Sequence, residues 1–232
     1  MAITKTAKNM IQLGAGGSYS TARDAIRHQI WDMRVFGTSP SDATYFTQPI
    51  GSALAIGSKT KTETNLADSG KLPNGQTFLV TRMGVALVSQ FDVGSTCTQS
   101  AAPVCNAALL AQAYVNVMQN SVFELRIAGR EYDFQVHGRQ FLPSMCINGY
   151  NAGTAGSVVR VGDTMCSGWI KLEPSPIFLD ELVSFNVSQL CGCPDTTNIQ
   201  AASKVLNNSF LWLSTFYSRM QVTLEGMLTR AK

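Results

Sequence analysis

The sequence predicts an all-β fold, one antiparallel two-sheet sandwich or barrel, and three observations predict it. Phe123, Leu125 and Ile127 alternate with Glu124 and Arg126. After Gly129-Arg130, the residues Tyr132, Phe134 and Val136 alternate with Asp133, Gln135 and His137, the pattern of a hairpin with one buried face. Further runs of this kind, separated by Gly, Pro or Asn, bring the strand candidates to about eight. Strands do not alternate with helical segments, which disfavours a parallel α/β fold.

The elements follow in order. Residues 1–20 read as a flexible arm ending in Gly14-Ala15-Gly16-Gly17-Ser18. A short helix is expected over about 21–36. Thr21 can cap it with Asp24 three residues on, Ile26, Ile30 and Met33 fall at helical spacing, and Gly37 and Pro40 stop it. Residues 38–75 form a polar, turn-rich connector with an apolar patch from Ile50 to Ile56, closed by the turn signal Leu72-Pro73-Asn74-Gly75. Phe78 and Val80 then alternate, and Met83, Val85 and Leu87 alternate in the opposite phase, so a β-bulge is expected at Arg82. Leu109, Leu110, Ala113, Tyr114 and Val117 suit one face of an inserted helix over 106–119. Strands are expected around 157–162 and 168–173 and at Val183, Phe185 and Val187. The apolar run from Phe210 to Leu228 has Met220, Val222 and Leu224 on one face. The division is an arm and connector over 1–75 and a barrel over 76–232. Eight strands suit a single jelly roll, with Phe123, Leu125, Ile127, Tyr132, Phe134 and Val136 in its core.

Charged residues are 14% of the 232 and hydrophobic residues 45%. Ordinary soluble domains carry roughly 25% charge. A weakly charged exterior suits a subunit whose surface is covered by neighbours, and also a Ser/Thr-rich β-protein. The net charge of +3 is too slight to argue for nucleic acid as the main partner. No apolar run is long enough for a membrane-spanning helix, and the N-terminus makes a poor signal peptide, so folding in a cytoplasm is expected. The arm and first helix carry Lys5, Lys8, Arg23, Arg27 and Arg34 against Asp24 and Asp32, which suits docking on a surface outside the domain.

The chemical motifs are weak. Gly14-Ala15-Gly16 begins like a dinucleotide loop, but Tyr19 stands where the third glycine belongs. Gly16-Gly17-Ser18-Tyr19-Ser20 lacks the last glycine of a nucleophile elbow. Two histidines, His28 and His137, leave little for a metal site or an acid–base pair. Asp180-Glu181 is an adjacent pair whose side chains would point to opposite faces of a strand. The six cysteines form no zinc-type pairs and read as small hydrophobes, although Cys97 and Cys105 could close a loop under oxidising conditions. No catalytic residue, cofactor, metal or small-molecule substrate is expected.

The stretch from Thr64 through Leu72-Pro73-Asn74-Gly75-Gln76-Thr77-Phe78 to Val80 resembles the approach to the first barrel strand of phage jelly-roll capsid proteins. Val222-Thr223-Leu224-Glu225-Gly226-Met227-Leu228-Thr229-Arg230 is similar to their closing strand. Gly129-Arg130-Glu131-Tyr132 followed by Phe141-Leu142-Pro143 is a weaker echo. The resemblance implies a structural virion protein, the major capsid protein of a tailless icosahedral bacteriophage, with or without an internal membrane. Many such proteins fuse two barrels, but the residues after 75 are too few for two, so one barrel is implied. Its partners would be copies of itself and other virion proteins, and the arm is the candidate contact with an internal membrane or the genome. Ile26, Ile30, Trp31 and Met33 are the expected arm contacts. The alternative is a carbohydrate- or receptor-binding module using Trp169, Trp212 and Tyr150.

Overall fold

The computed structural model describes residues 23–54, 57–88, 107–128, 134–142, 168–172, 176–192, 200–215 and 218–231. Among them, nine strands and two helices follow the chain: β1 (Arg23–Val35), β2 (Ala43–Tyr45), β3 (Gln76–Val88), α1 (Ala107–Gln119), β4 (Ser121–Ile127), β5 (Phe134–His137), β6 (Gly168–Lys171), β7 (Ile177–Leu179), β8 (Phe185–Cys191), α2 (Gln200–Thr215) and β9 (Arg219–Ala231). One sheet runs β1-β9-β3-β6, with β7 also beside β3. The other runs β2-β8-β4-β5. Every strand pairing is antiparallel. The core lies between the sheets. Phe78, Val80, Met83, Val85, Val222 and Leu224 fill it from one sheet, and Phe123, Leu125, Phe185 and Val187 from the other.

The all-β architecture is as the alternation predicts. Phe123 pairs with Val136 and Leu125 with Phe134 in the expected hairpin. The register of β3 against β9 shifts between Val80 and Arg82, where the phase change placed a bulge. The inserted helix is α1. Tyr132, the arm over 1–20 and the candidate strand at 157–162 lie outside the described residues.

The helix expected over about 21–36 is corrected: this segment is the strand β1, paired with β9 from Arg23↔Ala231 to Val35↔Arg219. The physical reason lies in its two faces. Ile26, His28, Ile30, Asp32 and Arg34 share one side, and Arg27, Gln29, Trp31, Met33 and Val35 the other. Polar residues on the inward side and apolar ones on the outward side erase the period of two. The chance spacing of Ile26, Ile30 and Met33 then imitates a helix. The segment 1–75 thus contributes a strand to each sheet, β1 to one and β2 to the other. Phe46, Leu66 and Leu72 from its connector are buried in the core.

Helix α2 takes up the start of the apolar run that begins at Phe210. Its Leu206, Phe210 and Leu213 are buried, and Phe210 meets Phe36 edge to face at 5.6 Å. The two helices pack against each other at one end of the sandwich.

Gly226 faces Val80 beside the bulge, and a Cβ there would lie 1.8 Å from the Leu79 carbonyl oxygen. Backbone cannot retreat as a flexible side chain would, so Gly226→Ala should destabilise the fold by about 1–3 kcal/mol, read as a lower urea midpoint.

Candidate assembly surface

The edge of β1 is organised by a carboxylate. Asp32 is 1% exposed, on the inward side of an outer strand. Its Oδ2 accepts the Phe46 N–H at 2.6 Å, and its Oδ1 meets the Lys59 ammonium, which is itself buried. Burial pushes the Asp32 carboxyl above its ordinary range, while Lys59, the Phe46 N–H and Thr64 pull it back. Nearby, Glu63 pairs with Arg219 of β9 at 2.9 Å and accepts the Thr60 N–H at 2.8 Å. These bonds fold residues 46–66 back along β1, where Met33 N–H donates to the Glu63 carbonyl at 2.8 Å.

The outward face of the β1 sheet is mostly uncharged. Thr77 and Thr229 join hydroxyls across β3 and β9. Glu225 is buried under the guanidinium of Arg27, and Gln29 donates to it at 3.2 Å. Trp169 of β6 lies over Gly84 of β3, where a Cβ would sit 2.8 Å from the indole, and Trp169 stays 37% exposed.

The four residues expected to make assembly contacts do not form one surface. Ile30 is taken up by the core and is 2% exposed. Ile26 is on the same side but 43% exposed, near the start of the strand. Trp31 and Met33 are half-buried on the opposite face. The side chains of Trp212 and Tyr150 lie outside the described residues.

No protein-family model, curated protein or solved structure matches the chain. The reading of its surface therefore rests on its own geometry.

Other polar groups named from the sequence make bonds within the fold. Asp180 accepts the Glu181 N–H at 2.9 Å, and Glu181 accepts the Gly75 N–H, fastening the Leu72–Gly75 turn. His137 Nδ1 accepts the Arg139 N–H at 3.1 Å and caps a 3-10 turn over Gly138–Phe141. Arg126 pairs with Glu124 at 2.6 Å. Inside, the Tyr45 hydroxyl donates to Gln189 at 2.9 Å, Gln189 donates to Ser121 Oγ at 3.0 Å, and Ser121 donates to the Val117 carbonyl at 2.7 Å. Burial holds the Tyr45 phenol far above its ordinary value. This chain ends beside a cavity of about 30 Å³ lined by Arg34, Phe36, Tyr45, Gln189, Phe210 and Met220. That is roughly the volume of one water. Among the described residues, no three His, Cys, Asp or Glu side chains gather as metal ligands, and no helix is long and apolar enough to cross a membrane.

Asp32→Asn keeps an acceptor for Phe46 but leaves the Lys59 charge buried alone. It should cost about 3–5 kcal/mol in urea unfolding, and Asp32→Ala, which also strands the Phe46 N–H, should cost more.

His28 is held below the ordinary imidazole value of 6.5, first by burial and then by Arg230. The folded chain therefore binds this proton less readily than the unfolded chain. The stability His28 contributes is present above 6.5 and lost as pH falls through its lower folded value. Urea midpoints at about pH 7.5 and about pH 5 should differ less in His28→Gln than in the parent chain.

Proposed function

We propose that the chain is a coat subunit, a single jelly roll that assembles with copies of itself into the icosahedral shell of a tailless bacteriophage. The observation that carries this reading is the nesting of the strand pairs. β6 and β7 face consecutive parts of β3 and act as two segments of one strand. Counted so, the first strand pairs with the last (β1·β9), the second with the next to last (β2·β8), the third with β6 and β7, and the fourth with the fifth (β4·β5). This is one long hairpin. Rolling it up brings β9 beside β3 and β8 beside β4, the two remaining pairings. Such a rolled hairpin is the jelly roll of many capsid proteins.

A fold hosts many functions, so the surface must argue the rest. The chain is poor in charge, and part of that charge is withdrawn from solvent: Asp32, Lys59, Glu63, Glu124 and Glu225 are all buried. Among the described residues, the exterior mixes charges such as Lys61, Asp68 and Arg139 with many Ser, Thr, Gln and Asn and with exposed apolar side chains such as Ile26, Val35, Leu182 and Leu211. Such an exterior is a poor one for a free monomer and a good one for a subunit surrounded by others. The resemblance of the Leu72–Val80 and Val222–Arg230 stretches to phage coat proteins supports the same reading. In it, Ile26, Trp31 and Met33 meet neighbouring subunits, other virion proteins share the shell, and the segment before Arg23 reaches an inner layer of membrane or genome.

Light scattering and negative-stain imaging of the protein, from native material or expressed alone, should find regular shells or multi-subunit building blocks. A species that stays monomeric at high concentration, alone and with the other proteins of its particle, would overturn the reading.

A further inference from the structure

β1 is an outer strand, and its second edge is covered over only part of its length. Met33 N–H donates to Glu63, and Asn65 N–H donates to the Trp31 carbonyl at 3.4 Å. Beyond that point the Asn65 side chain replaces backbone. Its Oδ1 accepts the Trp31 N–H at 3.0 Å, and its Nδ2 donates to the Gln29 carbonyl at 2.7 Å. Among the described residues, coverage ends there.

Alternate residues of an antiparallel strand aim their N–H and C=O groups to the same side. Residues 29, 31 and 33 aim theirs away from β9, so Ala25 and Arg27 do too. Their backbone groups, and the Gln29 N–H, have no partner among the described residues. Ile26, Arg27 and Gln29 are exposed. Exposed edges are ordinarily guarded by a charged side chain. Here the Arg27 side chain is drawn back over its own sheet by Glu225 instead of lying along the edge.

We propose that the stretch Arg23–Gln29 pairs with the same stretch of a second copy of this chain, antiparallel, about a two-fold axis at Ile26. The row of alternating donors and acceptors is matched by another extended backbone. Outward-aimed residues must face outward-aimed residues, so the axis passes through a residue rather than between two. An axis at Arg27 would set Arg27 against its own copy, and an axis at Ala25 would set Arg27 against Arg23. An axis at Ile26 sets Arg27 against Ala25 and Ile26 against Ile26, the one of the three registers without opposed like charges. Seven residues a side make a contact smaller than a stable dimer needs, so it acts where copies are concentrated, as in a shell. That last step, and the choice of a second copy as the occupant, rest on the coat-subunit reading.

The test is disulfide trapping in the full chain. About the Ile26 axis the two Ile26 residues form a non-hydrogen-bonded pair with Cα atoms about 4.5 Å apart, within the span of a disulfide. Under mild oxidation, Ile26→Cys should give a 26-to-26 link, identified by mass spectrometry, at least tenfold above the Val35→Cys control on the same strand. Ala25→Pro removes only an N–H that faces away from β9. Added to Ile26→Cys, it should leave thermal melting unchanged and cut the link at least tenfold. A 26-to-26 link no stronger than the control, a link from position 26 to a native cysteine instead, or a link undiminished by the proline would overturn the contact. Shells without the link would overturn this contact alone. The link without any larger particle would support it and overturn the coat reading.

Discussion

A carboxylate on the inward side of an outer strand has to be paired, and Asp32 imposes that requirement on the whole connector between β1 and β3. The groups that answer it are the Phe46 N–H and the Lys59 ammonium. Both come from the connector, so the connector must lie along β1. Phe46 reaches Asp32 with a positive φ of 68°, a conformation that bulky residues avoid at a cost of about 1–3 kcal/mol. Its ring is fully buried beside Phe185 at 5.6 Å, and that burial offsets the strain. A buried ion pair contributes little net stability against a well-packed apolar pair. Its effect here is specific: it fixes where the chain between the first two strands and the third must run.

The rest of the sandwich follows from that path. β1 lies in one sheet and β2 in the other, so the chain passes between the sheets at the start of the connector. The connector then returns to β1 and is stitched to β9 by Glu63 and Arg219. Its later part delivers Leu66 and Leu72 to the core and closes against the second sheet, where the Phe185 N–H donates to the Gly70 carbonyl at 2.8 Å. By reaching β1 last through the Asn65 amide, the same path covers Trp31 and Met33 and leaves the edge backbone of Ala25 and Arg27 without a partner among the described residues. The buried pair and the open edge are two results of one loop placement.

The parts of this fold that are legible in the sequence are those in which one face is apolar and the other polar. The β4–β5 hairpin, the phase change at Arg82 and helix α1 meet that condition. β1 does not, because Asp32 and Arg34 sit on its inward side while Trp31, Met33 and Val35 sit outward. Only knowledge of Lys59 and Phe46 makes an inward Asp32 sensible, and those partners are brought together by tertiary structure. α2 was legible in principle, since Leu206, Phe210 and Leu213 fall at helical spacing. The sequence pattern groups Phe210 and Leu213 instead with the apolar run that extends to Leu228. The open edge was not legible at all. It depends on where the Asn65 side chain stops, and no local pattern carries that.

The integration of β1 into the sandwich is the claim on which the rest stands, and amide hydrogen exchange of the dissociated subunit tests it directly. The amides of Ile26, Ile30, Asp32 and Arg34, which face β9, should be protected together with those of β9 itself. Trp31 and Met33 should be protected through Asn65 and Glu63, while Ala25 and Arg27 exchange quickly. Fast exchange along the whole of 23–35 with β9 still protected would mean that this segment is a detachable arm, and would contradict the account.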